Sequence, residues 1–124
     1  MGRARIDAGV GVAAVRAALA PDAAAGREET ALAVRYLLQV LADAAPGNTV
    51  EVRVPPYGAV QCVEGPRHTR GTPPNVIETD APTWLALATG ATTWREALAG
   101  DRVAASGTRA NLDGLLPLAW SAGE

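Results

Sequence analysis

Apolar and small residues dominate from Asp7 to about Leu19, and this weakly amphipathic, alanine-rich run predicts a first helix that "APD" stops, because Pro21 disfavours helical geometry at the residue before it. The segment "DAAAGREE" reads as a linker. From about Arg27 to Ala45 the pattern is stronger. Ala33, Tyr36, Leu37, Val40, Leu41 and Ala44 recur at spacings of three and four, Arg35, Gln39 and Asp43 take the opposite side, and Glu28 and Glu29 sit at the positive end of the helix dipole. "APGN" ends this second helix.

The period then changes to two. Val50, Val52 and Val54 alternate with Glu51 and Arg53, as in a strand with one buried and one wet face, and Pro55 and Pro56 turn the chain. A second strand is expected at about Ala59 to Glu64, with Val60 and Cys62 on one face, and a third in "NVIETD", ending at Asp80. Asp80 is placed to cap a helix with Pro82 in its first turn and Gly90 just past its end; Thr93 and Glu96 have capping-box spacing for a second short helix that Gly100 terminates. "DRVAASGT" reads as a last strand. "NLDGLLPLAW" reads as a short apolar helix carrying Leu112, Leu115, Leu116, Leu118 and Trp120. The order is two helices, a three-strand meander, two short helices, one strand and an apolar tail, which predicts an α+β domain with an antiparallel sheet covered by helices on one face.

Composition narrows this picture. A chain of 124 residues is expected to form one domain over residues 1–124, with residues 1–26 as N-terminal helix and linker and 27–120 as the core. It is 48% apolar yet has no Phe, so the core is built from small aliphatic side chains with three Trp and two Tyr, and either packs evenly or leaves a cavity. A net charge of -2 argues against nucleic acid as a partner. One Cys excludes an internal disulfide, no apolar run reaches membrane-spanning length, and Asp7 and Arg16 interrupt any signal-peptide core, so a cytoplasmic protein is expected.

The succession "ETDAPTWLALATG", "TTWREALAG", "DRVAASGT" and "LDGLLPL" resembles the C-terminal half of sterol carrier protein type 2-like domains. More narrowly, "NTVEVRVPPYGAVQCVEGPRHTRGTPPNVIETD" is similar to the bacterial sterol-carrier-protein orthologue family of actinobacteria, and the likeness runs from about Glu29 to Leu118. The resemblance implies about five mostly antiparallel strands with helices on one side, enclosing an apolar tunnel for a fatty acid, acyl-CoA or sterol-like ligand. The periodicity supports only four strands, leaving the fifth either near "PRHTRGTPP" or missing. Carriage rather than chemistry is the implied activity, with no cofactor. The same fold also serves as an accessory domain of larger enzymes, including mycothiol-dependent isomerases and acetyltransferases, and most bacteria make no sterols, so the family name does not identify the ligand.

Two groups of residues are candidates for binding. Val50, Val52, Val54, Val60, Leu85, Leu87, Leu98, Leu112, Leu115, Leu116 and Trp120 either line a lipid cavity or simply form the core. Arg67, His68 and Arg70, beside Gly65 and Gly71, either clamp an anionic head group or pair with Glu64, Glu78 or Asp80 while the nearby prolines stiffen the connection. Trp84 and Trp94 are expected in the core. Cys62 has no cationic or helix-terminal setting and reads as an inert core thiol; His68 has no catalytic partner, Ser106 is not in a nucleophile elbow, and no metal-ligand set exists, so no catalytic residue is assigned. The expected function is a small lipid-binding carrier. Its alternatives are an accessory or catalytic module acting on a small anionic or thiol-linked substrate through the Arg67–Arg70 loop, and a non-catalytic interaction or dimerisation domain, such as a homodimer, in which the apolar tail "LLPLAW" forms a partner surface.

Overall fold

The alternation of Val50, Val52 and Val54 is realised in a computed structural model that describes residues 4–20, 26–65 and 75–121. Its elements are α1 (Ala8–Leu19), α2 (Arg27–Ala44), β1 (Val50–Val54), β2 (Gly58–Cys62), β3 (Asn75–Thr79), α3 (Ala81–Thr89), α4 (Trp94–Ala99) and β4 (Val103–Ser106). The three valines of β1 are fully buried and share a face with Cys62, Ile77 and Val103; Glu51, Arg53, Gln61 and Glu78 face away from the helices. The α+β class and the single helix-covered face agree with the pattern.

The sheet order does not agree with it. The four strands are arranged β2-β1-β3-β4, so β1 lies between β2 and β3; β1 pairs antiparallel with β2 but parallel with β3, and β3 pairs antiparallel with β4. The expected antiparallel meander is therefore corrected to a mixed sheet. Alternation reports which face of a strand is buried but not its direction, and the route from β1 to β3 passes through all of β2 and residues 63–74, long enough for the crossover that parallel pairing needs. Four strands, not about five, occur among the described residues; the stretch suggested for the fifth, and with it Arg67, His68 and Arg70, lies outside them.

The helix ends follow their capping chemistry. Asp7 accepts from the Val10 amide at 3.3 Å, Asp80 accepts from the Thr83 amide at 2.8 Å, and the Thr93–Glu96 capping box is closed in both directions. Gly90 ends α3 in the left-handed conformation, with φ of 93°. The terminal helix expected in "NLDGLLPLAW" is corrected: this stretch is a series of turns. Gly114 takes a φ of 90° and Pro117 has no N–H to donate, which breaks the ladder twice within one short segment. Leu112 and Leu118 are buried one at a time instead, and the Leu118 amide donates to the Ala88 carbonyl of α3 at 2.8 Å.

α2 organises the helical layer. It lies on β2 and is crossed by α3, whose buried Trp84 donates its indole N–H to the Val34 carbonyl at 3.3 Å. α1 packs on α2, and the close approach rests on Gly11: a side chain there would enter the ring of Tyr36, with its first carbon only 2.2 Å from ring atoms. Residues 4–7, ahead of α1, are stitched to the same helix. The Gln39 side chain accepts from the Ile6 amide at 2.9 Å and donates to the Ile6 carbonyl at 3.0 Å, and Arg5 makes two bonds to the Asp43 carboxylate, the shorter at 2.7 Å.

A cleft at the open edge of the sheet

The apolar residues singled out from the sequence separate into three groups. Val50, Val52, Val54, Leu85, Leu87 and Leu112 are buried in one continuous core, and Val60, Leu115, Leu116 and Trp120 are half-buried against it. Leu98 is 40% exposed on α4. Trp84 and Trp94 are in the core as expected. Trp120 sits at the surface of the tail, with the Arg16 guanidinium 5.6 Å from its ring centre.

Cys62 is fully buried, and loss of water around it pushes the thiol pKa up to about 11. A thiol so shifted stays protonated near neutral pH and is a poor nucleophile. Among the described residues no group of His, Cys, Asp or Glu is arranged to hold a metal ion, and no helix is long and apolar enough to cross a membrane.

A cleft of about 370 Å³ opens where α2 overhangs the outer strand of the sheet. Leu38 and Arg35 form its α2 side, Gly58, Ala59 and Val60 its β2 side, and Ala4, Ile6 and Gln39 close one end. Its shape depends on Gly58. A side chain there would begin 3.3 Å from Cγ of Arg35 and 3.5 Å from Cδ1 of Leu38, filling the space between helix and strand. The register pairs Gly58 and Val60 with Val54 and Val52, so both point into the helix-covered layer; the cleft is a side opening of that layer, not a dent in the wet face of the sheet.

The cleft has one charged group to offer. Gln39 is committed to Ile6, and Arg5 to Asp43, which Arg5 holds below the ordinary carboxylate range chiefly by hydrogen bonding. Arg35 has no hydrogen-bond or ion-pair partner among the described residues. Its helical neighbours explain this: positions three and four away are Leu32, Ala31, Leu38 and Gln39, none of them acidic. Glu28 and Glu29 lie about two turns earlier and, with Ala31, Leu32 and Arg35, line a second depression of about 390 Å³ without pairing with Arg35.

Of these residues only Val60 belongs to the candidate set drawn from the sequence. The helical pattern assigns Arg35 merely to the polar side of α2, and Ala4 and Ile6 come from a part of the chain with no strong pattern. The usable signals were the missing acidic partner of Arg35 and a glycine at an inward-facing strand position. No curated protein matches the chain. Residues 26–118, which contain α2, the whole sheet, α3, α4 and most of the tail, match the family of bacterial SCP orthologs, and the chain belongs to that sterol-carrier-protein-like family.

Proposed function

We propose that the protein binds and carries a hydrophobic or amphipathic small molecule. The observation that carries this reading is the family match over residues 26–118, which spans β1 to β4 and α2 to α4. A buried thiol with its pKa pushed up to about 11 fits a role without covalent chemistry at Cys62. In this reading the ligand's apolar part meets the side of the layer walled by Val50, Val52, Val54, Leu85, Leu87 and Leu112, entering past half-buried Leu115, Leu116 and Trp120. Arg67, His68 and Arg70, on the connection from Gly65 to Asn75, are the head-group residues proposed for this route.

Native mass spectrometry of the purified protein tests carriage directly. A bound acyl species, or uptake of a fluorescent fatty acid by ligand-free protein, is the expected result. Protein that is empty as isolated and takes up no such probe would overturn the reading.

A further inference from the structure

The side opening at β2 carries a more specific inference, which rests on the carrier reading. We propose that this cleft is a binding site for a single-tailed amphiphile with an anionic head, its tail lying between Leu38, Val60 and Ile6 and its head on Arg35. Three observations support it. The volume, about 370 Å³, is near the lower end of the roughly 300–1,000 Å³ typical of small-molecule pockets and suits one slender tail. The walls beyond Arg35 and Gln39 are aliphatic or glycine, and Gln39 already spends its amide on Ile6. Arg35 is partly buried and unpaired among the described residues, so its five N–H donors are available where the cleft opens.

Charge complementarity then selects the head group. A guanidinium offers parallel N–H groups that match the oxygens of a carboxylate or a phosphate, and the aliphatic stem of Arg35 lies over Gly58 in the wall of the cleft. A cationic or neutral head would leave those donors unmatched. The site is also composite: Ile6 and Ala4 lie before the family-matched segment 26–118, and Gln39 and Asp43 hold their stretch of chain against α2. Ligand capacity at this cleft therefore depends on a wall that the family match does not include.

The test is a titration of the ¹⁵N-labelled full chain with decanoate, decyl phosphate and decyltrimethylammonium, followed by amide and Arg Nε shifts. The two anions are expected to move Gly58, Ala59, Val60 and the Arg35 side chain, and the cation is not; the tighter of the two anions identifies the head group as carboxylate or phosphate. Arg35→Gln should weaken the anions by about tenfold or more while leaving the remaining spectrum in place. Gly58→Ala, which narrows the floor without touching the charge, should weaken both anions as well. Shifts confined to Leu115, Leu116 and Trp120, with affinity unchanged in Arg35→Gln, would overturn the cleft and leave the carrier reading standing. No shift with any of the three probes would overturn both.

Discussion

The two edges of the sheet end in different ways. At β2 the helical layer projects past the strand: α2 reaches over Gly58 and Val60, and residues 4–6 close the gap from the end. At β4, α4 packs alongside the strand, yet Ala104, Ala105 and Ser106 all stand exposed. That edge is anchored by polar bonds instead. Thr79 donates to the Arg102 carbonyl at 2.8 Å, and the buried Asn75 side chain donates to the Thr49 carbonyl at 2.9 Å while accepting from the Arg109 amide at 2.8 Å. The β2 edge thus holds an aliphatic cleft between layers, whereas the β4 edge is a hydrogen-bonded border whose depression, of about 610 Å³, is lined mainly by the polar and charged residues Glu78, Thr79, Asp80, Asp101 and Arg102. An apolar tail suits the first lining and not the second.

The contrast is strongest in the expected response to truncation. Leu38→Ala removes a fully buried side chain from the β2 side and should cost about 2–5 kcal/mol in chemical denaturation. Ala104→Lys, on the exposed border, should stay within about 0.5 kcal/mol of the parent. Equal costs would mean that the two edges are not built differently. On the β4 side the sensitive residue is Asn75: replacing it with Ala strands the Thr49 carbonyl and the Arg109 amide and should cost about 1–3 kcal/mol, read from the same melts. A neutral Asn75→Ala would show that the border needs no such anchor.

The smallest effect concerns the stitch at the β2 side. Arg5 holds the Asp43 carboxyl below its ordinary value of 3.8, so the folded state favours the ionised form. The stabilisation is fully present above the unfolded value and is lost as pH falls below it toward the folded one. The melting-temperature gap between the parent and Asp43→Asn should be constant above about pH 5 and close as the pH drops below about 4. A gap that persists unchanged in acid would remove the ion pair from the account.

Local chemistry was readable in the chain, and long-range arrangement was not. α2, the caps at Asp80 and Gly90 and the Thr93–Glu96 box were readable because each is decided within one or two turns of helix. The buried face of β1 was readable from its valines. Its parallel partner was not, because Val52 and Ile77 alternate identically whichever way β3 runs. The tail misled for a related reason: Leu112, Leu115, Leu116 and Leu118 have helical spacing, but Gly114 and Pro117 break the backbone between them. The cleft escaped notice because Ile6, Arg35 and Gly58 are far apart in sequence, and a glycine contributes by the volume it omits.

The Gln39 side chain occupies the place a neighbouring strand would take, meeting both the N–H and the C=O of Ile6. Paired donor and acceptor bonds of this kind fix the phase of an extended segment, much as a ratchet tooth admits one notch at a time. Advancing the segment by one residue would bring a different side chain to the cleft and draw Arg5 away from Asp43. The spacing from Ala4 through Ile6 to α1 is therefore fixed. An insertion between Ile6 and Ala8 would act on the cleft through this phase, without altering any residue that lines it.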